Sequence, residues 1–138
     1  MRYRALESDE IADRVQLYRC FKGNANVAIY GSFQQSRKKD LLALRDYLRN
    51  SGYSNARISE DFCDRLDPRT EDGPIRDVNL SDLLMDESSI HIFVFVKENK
   101  NEHYLIQSVS MEFQRLSTLI RHGIKGDQPV AIYIEEGL

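Results

Sequence analysis

Apolar residues recur along this chain at two spacings, and the alternation between them predicts most of the fold. Ile11, Val15, Tyr18 and Phe21 fall on one face at helical spacing, with Ser8 as a capping residue before them and Lys22-Gly23-Asn24 as a stop. Val27 to Tyr30 is a short apolar run closed by Gly31-Ser32, which reads as a strand. Leu41, Leu44, Tyr47 and Leu48 predict a helix from Arg37 to Asn50, stopped by Ser51-Gly52, and Ala56 to Ser59 predicts a second short strand. From Cys63 to Gly73 the chain is polar, with Asp67-Pro68 and Asp72-Gly73-Pro74 as breakers. Leu80, Leu83 and Leu84 then suggest a helix over Pro74 to Met85. Ser89 to Val96 is apolar on nearly every residue, the pattern of a central parallel strand buried on both faces. Lys97 to His103 is polar. Val109, Phe113, Leu116 and Ile120 define a helix over Tyr104 to His122, ended by Gly123, and Pro129 to Ile134 is the last strand.

After the first helix the order is βαβαβαβ, which implies right-handed crossovers and a parallel sheet with helices on both faces. The expected fold is α/β: a single-domain flavodoxin/Rossmann-like three-layer sandwich with a mainly parallel sheet of four or five strands. Residues 1–24 form an N-terminal helical extension and residues 25–138 a nucleotide-binding-like core. Ligands in such sheets bind at the carboxyl ends of the strands, near the topological switch. That rule selects Gly31 to Arg37, Glu60 to Asp67, Lys97 to Ser108 and Glu135-Glu136.

Bulk properties narrow the function classes. At 138 residues the chain is most simply one domain, long enough to bury a core without disulfides. A net charge of −3 argues against general nucleic-acid binding. Cys20 sits in a helical apolar pattern and is expected to pack, whereas Cys63 lies in a polar stretch and is expected to be partly exposed. Their spacing is not that of a metal site, and no disulfide is expected between them. The N-terminal residues Met1 to Glu7 lack the apolar core of a signal peptide, and no segment has the apolar length of a membrane span. The expected location is cytoplasmic.

Two features carry candidate chemistry. Tyr30-Gly31-Ser32-Phe33, followed by Ser36, Arg37 and Lys38 at a helix start, makes an anion site in which backbone N–H groups and the helix dipole favour negative charge. The same residues equally describe an ordinary strand-turn-helix joint. Glu112 lies on the helix after the central strand, at the border of its apolar face. A carboxylate there can act as nucleophile or electrostatic stabiliser for a departing N-glycosidic bond, whose transition state resembles an oxocarbenium ion; as plain structure it would pair with Arg115 or face solvent. Asp77 and Asp82 precede the central strand, and either can position the nucleophile or bind a sugar hydroxyl. Asp61 follows the second strand, where an acid can meet ribose or a base edge. His91, His103 and His122 are dispersed and show no metal-type pattern. Walker, G-x-G-x-x-G and G-x-S-x-G motifs are absent from the sequence.

Over Val27 to Ile134 these pieces resemble the nucleoside 2-deoxyribosyltransferase-like superfamily, which includes deoxynucleoside monophosphate N-glycosidases. Tyr30-Gly31-Ser32 with Arg37 is similar to the turn that closes the family's first strand. Asp82-Leu83 is similar to the acidic residue and leucine before its central strand, with Asp77 as competitor. Ser108-Val109-Ser110-Met111-Glu112 is similar to the lead-in to its nucleophilic glutamate, with Ser108 where the family has glycine, and Ser88-Ser89 stands where an acid usually opens the central strand. A more distant resemblance is to Toll/interleukin-1 receptor-like domains that cleave NAD. The resemblance implies a nucleoside or nucleotide N-glycosidic bond hydrolase or transferase, with Glu112 attacking or stabilising the anomeric carbon and Asp82 orienting it. Substrate would be held by Tyr30, Gly31, Ser32, Phe33, Arg37, Asp61, Asp77 and Ser108. The resemblance implies no cofactor and no metal, a small-molecule nucleoside or nucleotide as ligand, and a homodimer. The competing class is a non-catalytic nucleotide-sensing or protein-interaction domain of the same fold.

Overall fold

The computed structural model describes residues 7–31, 35–65, 73–96 and 107–135. Its elements are α1 (Ser8–Asn24), β1 (Asn26–Tyr30), α2 (Gln35–Asn50), β2 (Asn55–Arg57), a 3-10 helix (Ser59–Arg65), α3 (Gly73–Glu87), β3 (Ile90–Phe95), α4 (Gln107–Arg121) and β4 (Val130–Ile134). Among the described residues the strands form one sheet in the order β2-β1-β3-β4, every pair parallel. This is the α/β three-layer architecture expected from the alternating pattern, in the flavodoxin-like strand order. The order reverses between β1 and β3, whose register pairs Val27 with Ile90 and Tyr30 with Phe93. The crevice at the carboxyl ends of these two strands is therefore the topological switch point.

Packing divides the sheet into two faces. Ala28, Tyr30 and Phe93 point to the side filled by Leu80, Leu84 and Met85 of α3 and by Val109 and Leu116 of α4. Ring stacking reinforces this layer: Tyr30 lies on Phe93 with centroids 4.4 Å apart, and Phe113 meets Phe93 edge-on at 5.2 Å. The opposite face joins Val27, Ile29, Ala56 and Ile58 to Leu41 and Leu48 of α2. Helix ends are closed as the glycines suggest. Gly52 and Gly123 adopt positive φ, and the next amides, Tyr53 N–H and Ile124 N–H, donate to Leu48 O and Leu119 O.

Several expectations change. The second strand is shorter than predicted, because Ser59 opens the 3-10 helix that carries the chain through Cys63. β3 is buried on one face only: His91 and Phe93 are enclosed while Ile90, Ile92 and Val94 are half-buried. The first helix forms as expected, with Ile11, Val15, Tyr18 and Phe21 43–55% exposed. Ser8 is its first helical residue rather than its cap, a place taken by Glu7, and Cys20 is exposed rather than core. Cys63 is half-buried and both thiols are free. β4 is exposed at all five positions. Among the described residues no helix is long and apolar enough to cross a membrane.

Candidate active site

Glu112 is the chemically distinctive residue of the switch point. Helical spacing from Val109 to Leu116, both 1% exposed, turns position 112 inward, and its side chain is only 8% exposed. Ser81 of α3 donates its hydroxyl to Glu112 Oε2 at 2.8 Å. The second oxygen, Oε1, is buried and has no hydrogen-bond partner. Burial pushes the Glu112 pKa from an ordinary 4.5 up to about 7, against the opposing pull of the Ser81 hydrogen bond and the Arg115 charge. An acid titrating near neutrality is suited to exchange protons or to switch its charge.

Glu112 shares a cavity of about 20 Å³, room for about one water molecule, with Tyr30 and Gly31 of the β1 end. Lys38, Ser59 and Glu60 complete its polar lining, while Leu41, Ile58 and Leu84 supply apolar walls. The glycine has a packing reason. A Cβ at Gly31 would fall 2.8 Å from Leu41 Cδ1 and closer still to Cδ2, so α2 packs directly on the turn. Lys38 is ion-paired with Glu60 across the mouth.

Behind the cavity runs a buried polar chain. Tyr30 Oη lies 2.8 Å from His91 Nδ1, and His91 Nε2 lies 2.5 Å from Gln128 Oε1. Because the Gln128 oxygen can only accept, His91 carries its proton on Nε2 and accepts from the Tyr30 hydroxyl at Nδ1. Burial lowers the His91 pKa, Gln128 opposes this and Lys125 adds to it, which favours the neutral ring. Burial, with a contribution from the Glu112 charge, drives the Tyr30 hydroxyl far above its usual range.

The remaining expected site residues separate into three groups. Tyr30, Gly31 and Glu112 line one cavity. Three others are committed to structure. Asp61 reaches back to the Ile58 N–H at 2.9 Å, half of a capping box for the 3-10 helix, and accepts from Arg45 at 2.7 Å. Arg37 bridges Asp40 at 3.3 Å and Glu135 at 3.1 Å. Asp82 pairs with Arg115 rather than with Glu112, so the expectation that Asp82 orients the glutamate is corrected to its neighbour Ser81. Ser32 and Phe33 lie outside the described residues, as do the side chains of Asp77 and Ser108.

Sequence reasoning missed Ser81 and, as a cavity residue, Lys38. A signal existed for Ser81: buried Leu84 and Met85 lie three and four positions on, which places 81 on the same inward face. Among the described residues no group of three or more His, Cys, Asp or Glu side chains could hold a metal ion. Comparison with family models, with curated proteins and with solved structures finds no match to this chain.

Proposed function

We propose that this protein cleaves the N-glycosidic bond of a nucleoside or nucleotide, with Glu112 as the residue that meets the anomeric carbon. One observation carries the reading: a buried carboxyl at the switch point whose Oε1 has no hydrogen-bond partner, on a residue that lines a cavity together with the Gly31 turn. N-glycosidic cleavage builds positive charge on the sugar, and a carboxylate held in a water-poor site stabilises that charge or forms a covalent bond to it. Ser81 holds the carboxyl through Oε2 and leaves Oε1 without a partner of its own. Lys38, at the cavity mouth, is placed to meet an anionic substituent if its pair with Glu60 opens.

The test incubates the protein with deoxynucleosides, their 5′-monophosphates and NAD, and separates free base by chromatography. Release is expected from at least one of these, and Glu112→Gln and Glu112→Ala are expected to abolish it while the fold persists. As nucleophile or electrostatic stabiliser Glu112 must be ionised, so kcat/KM is expected to fall as the pH drops through about 7. The opposite limb would make it a general acid. A second reading, a nucleotide-sensing domain without chemistry, draws on the engagement of Arg37, Asp61 and Asp82 in ion pairs. Saturable nucleotide binding with no base release from any of the three classes would favour it.

A further inference from the structure

The Glu112 cavity is shut. At about 20 Å³ it has room for about one water molecule, so nothing larger reaches the carboxyl while the cavity keeps this shape. Of the ten residues that line it, only Lys38 and Glu60 stand partly in solvent; the other eight, Glu112 and Ser59 among them, are buried. The side chains of Lys38 and Glu60 are 24% and 42% exposed and form an ion pair with each other. Among the described residues the way from solvent to Glu112 therefore passes between these two groups.

Both backbones that carry the pair are anchored beside the mouth. Lys38 lies in the first turn of α2, which Arg37 ties to Glu135 after β4 at 3.1 Å and which packs through Leu41 on the Gly31 turn. Glu60 lies in the first turn of the 3-10 helix, whose start is held by Asp61 accepting from the Ile58 N–H at 2.9 Å. The movable parts are thus the two long side chains. A partly exposed ion pair contributes little to stability, so these side chains can part while the fold stays intact.

We infer that the Lys38–Glu60 pair is a gate on Glu112, shut while Glu112 is protonated and parted more often when it is ionised. The physical reason is hydration. Shut, the cavity keeps the carboxyl nearly dry, with the Ser81 hydroxyl on Oε2 and no partner on Oε1, and a dry site penalises the charged form. Parting the pair admits water to the carboxyl, a relief worth far more to the carboxylate than to the neutral acid. Ionisation and opening are therefore linked, each favouring the other. The titratable and charged groups around the carboxyl are Arg115 on its own helix, Asp82 on α3 (held by Arg115), Tyr30 on β1 with His91 of β3 behind it, and Lys38 and Glu60 at the mouth. Access to Glu112 is gated in this way whether or not the residue cleaves a glycosidic bond.

Thiol labelling reads the gate without any substrate. Ser59 lines the cavity, so Ser59→Cys is placed in a chain that also carries Cys20→Ser and Cys63→Ser. Labelling uses iodoacetamide, a neutral reagent, with rates normalised to an unstructured cysteine peptide at the same pH. Adding Lys38→Met or Glu60→Gln is expected to speed labelling about two- to fivefold, the effect on an equilibrium of losing a partly exposed ion pair. The charge exchange of Lys38→Glu with Glu60→Lys is expected to restore the slow rate. Electrostatics at the thiol alone would send the two single changes in opposite directions, so acceleration by both supports the gate and opposite effects overturn it. Between about pH 6 and 8 the normalised rate is expected to rise by up to about tenfold, and to stay flat with Glu112→Gln. The same pH dependence in both chains would overturn the link to Glu112. So would labelling limited by global unfolding, seen as the steep urea dependence of whole-chain denaturation.

Discussion

At the residue scale Glu112 and His91, both buried, have opposite consequences for stability against pH. Glu112 titrates near 7 in the folded chain and near 4.5 when unfolded, so between these values the folded state holds a proton that the unfolded state lacks. Stability therefore falls as pH rises from about 4.5, and the full penalty, on the order of 3 kcal/mol, is in place above about 7. Glu112→Gln, which cannot ionise, is expected to unfold at higher urea than wild type at pH 8 and to lose that advantage at pH 4. His91 runs the other way. Its folded pKa is lowered, so stability is complete above the ordinary imidazole range and is lost as pH falls through it. The Tyr30 hydroxyl supplies the only proton that the structure offers His91 Nδ1 among the described residues. Tyr30→Phe leaves that buried nitrogen without a donor, and is expected to lower unfolding free energy by about 1–3 kcal/mol in urea titrations at pH 7.

At the scale of elements, the turn after β1 shows how packing and the candidate site share one position. Leu41 of α2 lies against the space that a Cβ at Gly31 would take, and its branched side chain is buried, with little room to turn aside. Gly31→Ala is expected to destabilise the protein by about 1–3 kcal/mol through overpacking. Leu41→Ala, which vacates the space, carries its own cavity cost, and the double variant is expected to lose less than the sum of the two single changes in the same denaturation assay; additivity would show that the two sites do not touch. These local contacts also mark where the sequence was legible. Element order, parallel topology and the inward turn of Glu112 follow from spacing, because Val109, Phe113 and Leu116 fix which side of α4 faces the sheet. The partners of Arg37, Asp61 and Asp82 were not legible. Charged residues at strand ends have the same composition whether they meet a ligand or one another, and the choice rests on distances between elements far apart in sequence. Ser81 was hidden by an acidic neighbour, Asp82, that drew the same role through resemblance. The first helix forms where expected, but periodicity shows that a helix has an apolar face and not what covers it.

At the scale of the whole molecule the two ends of the sheet have separate tasks. The carboxyl ends hold the Glu112 cavity, and the amino ends of β3 and β4 hold a groove beside α1. Gln128 belongs to both regions, since it edges the groove and closes the hydrogen-bond chain through His91 to Tyr30. The homodimer that the resemblance implies would have a thermodynamic signature independent of mass. A dimer that unfolds to two free chains gains about 1.4 kcal/mol per tenfold rise in concentration, shared between two protomers. For chains of this length that amounts to a rise in Tm of about 2 °C per tenfold. For such a dimer, calorimetric scans at about 5 and 500 μM are expected to differ by about 4 °C. Scans that coincide would show a single chain over this range and set the dimer expectation aside.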